Sequence, residues 1–99
     1  MFQIVFSAEV EDDLRRIPVY HRNRILDHID EQLAHQPTVP TKNRKLLVNV
    51  LPPWEAGSFV WELRSGDYRV FYDVDDASRT VSVRAVRKKP RGKKTEEIL

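Results

Sequence analysis

The sequence contains no cysteine, only three glycines and no long apolar run, and each absence narrows the class of protein. Without cysteine the chain has neither a disulfide framework nor a thiolate metal site. No apolar segment approaches the roughly 18 residues that a membrane span needs, and no basic-then-apolar leader opens the chain. The glycines are too few and too scattered for a phosphate-binding loop. We therefore expect a cytoplasmic protein that makes no contact with a membrane.

The length and the apolar content together indicate a small folded domain. The chain has 99 residues, and 40% of them are apolar, which suffices for one modest core and excludes a fully disordered chain. We predict a single domain over residues 1–99, with residues 88–99 as a basic tail.

Positive charge is concentrated in the second half of the chain. Residues 1–41 contain four Lys/Arg against seven Asp/Glu, whereas residues 42–99 contain thirteen against eight. Between residues 84 and 94 there are seven cations and no acid. This asymmetry favours a polyanion such as nucleic acid as the partner, followed by an acidic protein segment. A solvated, partly disordered tail explains the same composition equally well.

Residues 2–36 are predicted to form one strand and two helices. The β-branched and aromatic residues 2–6 are typical of a strand, and Ser7 is a typical helix N-cap. A first helix is expected to run to about Ile17, and a second from Pro18 to just before Pro37. Each helix has one apolar stripe at helical spacing, formed by Val10, Leu14 and Ile17 in the first and by Ile25, Leu26, Ile29 and Leu33 in the second.

The second half alternates between apolar and polar residues in three segments, 59–64, 68–74 and 81–86, which predicts three antiparallel strands. A long connection, 37–57, precedes them, with an extended piece at 45–51. We predict an α+β domain: an N-terminal strand, a two-helix hairpin and then a three-stranded antiparallel meander, with the helices packed on one face of a single sheet.

The apolar pattern also predicts the register of the first hairpin. Leu63 and Tyr68 both belong to buried faces, so they must lie on the same side of the sheet. A two-residue loop at 65–66 satisfies this condition and pairs Glu62 with Arg69 on the face away from the helices.

That uncovered face is predicted to carry Arg64, Arg84 and Phe71 beside Arg69. Arginines grip phosphate with two hydrogen bonds, and an aromatic ring can stack on a base, so the face suits RNA. An ordinary cross-strand ion pair between Glu62 and Arg69 is the alternative that the spacing leaves open.

Three histidines recur every seven residues along the second predicted helix, at His21, His28 and His35. Seven residues correspond to about 10 Å of helical rise, which is too far for two ligands on one ion. We interpret them as surface or boundary residues, and we predict no metal site and no cofactor.

The segment from Trp61 to Tyr72 resembles a hairpin motif of the RelE/ParE superfamily, W-x-L-R-x-G-x-Y-R-V-x-Y. The members are toxin halves of bacterial type II toxin–antitoxin pairs, and the likeness extends over the two preceding helices and the Lys/Arg-rich end. The resemblance implies a toxin whose partner is a cognate antitoxin, with operator DNA bound only through that antitoxin.

The RelE-like branch, which we favour, cleaves mRNA on the ribosome without a metal, through attack of a ribose 2′-hydroxyl on the adjacent phosphate. Carried over to this chain, the resemblance implies Arg69 as the phosphate-binding catalytic residue and Lys89 as the counterpart of the second catalytic arginine. The implied RNA-binding residues are Arg64, Arg84, Arg87, Lys88 and Phe71.

The chain departs from the RelE pattern in its proton-handling groups. Val60 and Glu62 stand where RelE has two lysines, and Thr95 lies near the position of a C-terminal tyrosine. Glu62 is then the candidate general base, or else it neutralises Arg69 in an inactive relative that acts only in an antitoxin–DNA repressor complex. The ParE-like branch, which has the same fold and inhibits DNA gyrase, is the main alternative.

Overall fold

The chain begins with a strand that ends at a helix-capping serine. The computed structural model describes residues 1–48, 51–54 and 59–99, apart from the side chain of Glu96. In it, β1 spans Gln3–Phe6 and α1 spans Ala8–Arg15. The hydroxyl of Ser7 accepts a hydrogen bond from the backbone N–H of Val10 at 3.2 Å, so the predicted cap is confirmed.

The second helix, α2, spans Val19–Leu33 and begins directly after Pro18, whose extended backbone lies outside the helix. Its apolar stripe faces the sheet, with Ile25, Ile29 and Leu33 fully buried. This is the amphipathic helical hairpin that the periodicity predicts.

Across the described residues, five strands form one sheet in the order β1-β5-β4-β3-β2. The meander of the last three strands is confirmed, and two pairings extend it: β1 lies parallel to β5, and the short β2 lies antiparallel to β3. The predicted extended piece at 45–51 overlaps β2, but residues 49–50 lie outside the described part. The bounds are Arg44–Leu46 for β2, Trp61–Ser65 for β3, Tyr68–Asp75 for β4 and Thr80–Lys88 for β5.

The hairpin between β3 and β4 turns at residues 66–67, one residue later than predicted. Ser65 pairs with Tyr68, and Gly66 has a φ of +58°, the conformation that the first central residue of a type II′ turn requires. The sides of the sheet predicted for the residues of this hairpin are correct, but the predicted cross-strand pairing of Glu62 with Arg69 is wrong. Glu62 lies opposite Phe71, two residues further along β4.

The two faces of the sheet are covered differently. One face packs against α1 and α2 around buried Leu63, Val70 and Tyr72. The other face was predicted to be uncovered, but its centre is occupied. There Leu47, Trp54 and the C-terminal residues pack on a small cluster of Val60, Phe71 and Ala85, and the last four-residue helix, α3, spans Thr95–Ile98. We call this second face the site face.

None of the helices described is both long enough and apolar enough to cross a bilayer.

Candidate nucleic-acid interface

Arg69 lies in β4 and is directed to the site face, because its neighbour Val70 faces the helices. Its side chain is largely buried, and its Nη1 donates hydrogen bonds to the carbonyls of Gly66 at 2.9 Å and Tyr68 at 2.8 Å. Burial lowers the pKa of Arg69, while the nearby Glu62 carboxylate acts in the opposite direction. A guanidinium remains protonated in proteins, so Arg69 is a fixed, pre-oriented cation.

A cavity of about 130 Å³ opens over this guanidinium at the turn end of the sheet. Because five of its lining side chains are basic and one is a carboxylate, the cavity has a strong positive potential. We call it the Arg69 pocket; it is lined by Lys42, Asn43, Lys45, Glu62, Arg64, Arg69 and Lys89.

Backbone pairing brings these residues together from distant parts of the chain. Antiparallel pairing of β2 with β3 places Lys45 opposite Glu62. The N–H of Arg64 donates to the carbonyl of Asn43 at 2.7 Å, which fixes the residues before β2 beside the pocket. On the other side, the N–H of Lys89 donates to the carbonyl of Asp67 at 2.7 Å.

The Glu62 carboxylate is buried, and its partners differ from the predicted one. It accepts a hydrogen bond from the hydroxyl of Thr95 at 2.7 Å, and the Lys45 ammonium lies 3.5 Å away. Among the described residues, no ion pair joins it to Arg69. The alternative that the spacing left open, an ion pair between Glu62 and Arg69, is therefore not observed, and the Arg69 guanidinium is not neutralised by direct contact with this carboxylate.

The residues predicted to bind RNA separate into different places. Arg64 lies in the Arg69 pocket, and Lys88 is on the helix side of the sheet. Arg84 is an extra residue of β5 at a β-bulge and donates to Asp73 at 2.9 Å, while Arg87 pairs with Asp13 of α1. These two arginines line another cleft, of about 590 Å³, beside Trp54.

Phe71 does not support the stacking role predicted for it. Its ring has no exposed surface and lies beneath Ile98 and Leu99. The alternation placed Phe71 on the correct face but could not reveal that the C-terminal residues cover it.

Comparison with known proteins identifies the family. A family model described as the ParE toxin of the type II toxin–antitoxin system parDE matches residues 4–91. The chain belongs to the ParE toxin family. The resemblance to RelE/ParE toxins is therefore confirmed, and the chain is a toxin of a type II toxin–antitoxin system.

Solved structures similar to this ParE-family chain are RelE toxins. A RelE–RelB complex from the archaeon Pyrococcus horikoshii OT3 gives a TM-score of 0.69 at 25% identity, covering 94% of this chain and 98% of that one. The RelBE2 complex of Mycobacterium tuberculosis gives 0.68 at 23% identity, covering 89% and 98%. Isolated E. coli RelE gives 0.62 at 18%, covering 94% and 89%. No curated protein matches the chain.

Three pocket residues of this ParE-family toxin, Lys42, Asn43 and Lys45, were not predicted from the sequence. Their signal is the short basic run at 42–45, which reads as a solvated loop until its pairing with β3 is known. Within that run, Arg44 is buried and donates from Nη1 to the carbonyl of Gln32 at the end of α2. Arg44 thereby fastens the run to the helical layer, and the lysines on either side are left beside the pocket.

His21 and His28 lie on α2, as predicted, but the helix ends at Leu33, so the prediction that His35 also lies on it is wrong. His21 and His35 are exposed, whereas the Nδ1 of His28 is hydrogen-bonded to the hydroxyl of Ser65 at 2.6 Å. Over residues 1–48, 51–54 and 59–99, no group of three or more metal-ligating side chains comes together.

Proposed function

We propose that this toxin is a metal-independent endoribonuclease that cleaves mRNA on the ribosome, with the scissile phosphate bound in the Arg69 pocket. The observation that carries the proposal is the convergence of five basic side chains around a single buried carboxylate. A phosphorane carries extra negative charge, and pre-oriented cations in a partly desolvated pocket stabilise it more than they stabilise the ground state.

The chemistry balances without a metal. The 2′-oxygen forms a bond to phosphorus, the bond to the 5′-oxygen breaks, and the products are a 2′,3′-cyclic phosphate and a 5′-hydroxyl. In this mechanism Glu62 accepts the 2′-hydroxyl proton and Lys89 donates a proton to the leaving 5′-oxygen. Arg69 and Arg64 bind the non-bridging oxygens, a task that suits the planar guanidinium fork.

The proposed partner in the resting cell is a cognate antitoxin, with operator DNA bound only through it. Solved relatives were crystallised as RelE–RelB complexes, which supports the antitoxin as a partner. An acidic antitoxin segment would complement the excess of basic residues after residue 41. The proposed reaction takes place in the cytoplasm, where the mRNA is translated.

A second candidate is inhibition of DNA gyrase by binding alone. The ParE description of the matching family supports this candidate. It is also supported by the hydrogen bonds that the side chains of Arg69 and Glu62 already make within the protein. Arg69 is hydrogen-bonded to two carbonyls and Glu62 to Thr95, an arrangement compatible with a rigid binding surface.

The Arg69→Ala substitution tests the nuclease. We expect a loss of cleavage on the order of 100-fold, because one pre-oriented donor to the transition-state charge is removed. The assay maps RNA ends in a reconstituted translation reaction, and growth arrest on expression should be relieved in parallel. The matched control is Arg15→Ala, which removes an exposed arginine of α1 far from the pocket and should retain activity.

The result that would contradict the nuclease proposal is persistent growth arrest by an Arg69→Ala protein whose thermal unfolding is normal. A DNA supercoiling assay run beside the translation assay then distinguishes the second candidate. Inhibition of gyrase with intact mRNA would establish the binding mode instead.

A further inference from the structure

A second basic pocket lies behind the hairpin turn, on the helix side of the sheet. It has a volume of about 170 Å³ and is enclosed by α2, the turn at 66–67 and the end of β5. Its basic side chains are His21, Arg24 and Lys88, and Asp67 is its acid. We call it the helix-side pocket.

The cations of the helix-side pocket are available to a ligand. Arg24 and Lys88 are exposed, and neither makes an ion pair with any residue that the structure describes. By contrast, Arg84 and Arg87, which lie in the same strand as Lys88, are each paired with an aspartate. An unpaired cation gives up no protein carboxylate when it neutralises a phosphate, so it contributes more to binding a polyanion.

The hairpin turn is a wall that the two pockets share. The carbonyl of Gly66 accepts from Arg69, and the carbonyl of Asp67 accepts from the N–H of Lys89, while both turn residues also line the helix-side pocket. Lys88 and Lys89 are consecutive at the end of β5, so they lie on opposite sides of the sheet, one in each pocket. Positive charge therefore continues around the tip of the hairpin from one pocket to the other.

We propose that the helix-side pocket binds a neighbouring phosphate of the RNA strand whose scissile phosphate occupies the Arg69 pocket, so that the strand crosses the hairpin tip. The inference rests on the proposed function and adds to it a second phosphate subsite. His21 is exposed beside the Tyr68 ring, with centroids 5.8 Å apart, and presents a planar group to the nucleotide bound there.

Arg24 also lies 5.9 Å from the centre of the Tyr20 ring, a contact typical of an ordinary solvated helix face. The salt dependence of RNA binding distinguishes a phosphate contact at Arg24 from an ordinary solvated helix position. A cation that contacts a phosphate releases a counterion when RNA binds, and a cation that only faces solvent does not.

The test measures the binding of a short, fluorescent, single-stranded RNA in which every ribose is 2′-O-methylated, so that the attacking hydroxyl is absent. Fluorescence anisotropy is recorded over a range of salt concentrations. For the double variant Arg24→Gln/Lys88→Gln, we expect the slope of log K against log salt to lose about 1.4, because each phosphate contact on a single strand contributes about 0.7.

The matched control, Arg15→Gln/Arg79→Gln, also removes two charges. Arg15 lies on α1, and Arg79 lies in the turn at the opposite end of the sheet. The control should retain the wild-type slope. An unchanged slope in Arg24→Gln/Lys88→Gln, or an equal fall in the control, would overturn this inference while leaving the proposed nuclease intact. If the wild-type chain shows no salt-dependent RNA binding, this inference also fails, whereas the nuclease proposal is decided by the RNA ends mapped in the translation reaction.

Discussion

At the scale of single residues, Tyr72 connects the two layers of the fold. Its ring is fully buried in β4, and its hydroxyl donates to the carbonyl of Pro37 at 2.6 Å, which fixes the chain just beyond α2. Burial raises the pKa of Tyr72 above its ordinary value. The neutral phenol is therefore favoured in the folded state more than in the unfolded state.

Tyr72 should make the toxin sensitive to alkali. The pKa of Tyr72 is higher in the folded state, so the stability that its neutral phenol contributes is complete below the unfolded pKa of about 10. As the pH rises above that value, the free energy of unfolding falls by up to about 1.4 kcal/mol per pH unit. Tyr72→Phe should remove this loss, at a cost of about 1–3 kcal/mol near neutral pH, since the Pro37 carbonyl loses its donor. Urea denaturation between pH 7 and about pH 11 measures both effects. Tyr20→Phe, at an exposed ring, should behave like the wild type.

The site could be predicted in part at this scale. Alternation placed Glu62 and Arg69 on one face correctly, because the face of a residue depends only on the period of the strand. Their pairing could not be predicted, because a slip of two residues leaves both apolar faces unchanged. The positive φ of Gly66 selects the observed register.

At the scale of elements, β2 and α3 were the hardest to predict, yet both bear on the Arg69 pocket: β2 supplies Lys45 to its lining, and Thr95 of α3 donates a hydrogen bond to the Glu62 carboxylate. They span only Arg44–Leu46 and Thr95–Ile98, too short for a periodic signal, and an isolated helix of that length is not stable. Contacts with residues distant in the sequence hold both elements in place. β2 pairs with β3, and α3 packs on Glu62 and Phe71. The long strands and α2 were predictable because each has its own periodicity.

Removing the hydroxyl of Thr95 should weaken the attachment of α3. Thr95→Val keeps the shape of the side chain but leaves the buried Glu62 carboxylate without its hydroxyl donor, which costs about 1–3 kcal/mol. Chemical denaturation reports the change in the free energy of unfolding. Thr95→Ser retains the donor and should lose much less; equal losses in the two variants would show that the hydrogen bond is not the cause.

At the scale of the whole molecule, the residues that stabilise the fold and the residues that form the Arg69 pocket lie on opposite faces of the sheet. The helices bury their stripes against one face of the sheet, while the basic residues of the Arg69 pocket lie on the other. Ile29→Ala should cost about 2–5 kcal/mol through the cavity that it leaves in the fully buried core. Toxicity should fall together with the melting temperature in this variant, whereas Arg69→Ala should lower toxicity far more than the loss of its hydrogen bonds to the carbonyls of Gly66 and Tyr68 lowers stability. Val19→Ala, at an exposed helix position, is the control and should change neither.

The parallel pairing of β1 with β5 has a consequence for biosynthesis. Residues 3–6 leave the ribosome well before the strand that they join, at residues 80–83, has been made. The sheet can be completed only after both intervening helices and the other strands have been translated, and closing so long a loop is entropically costly. A nascent toxin therefore lacks the pairing of β1 with β5 until residue 83 has left the ribosome.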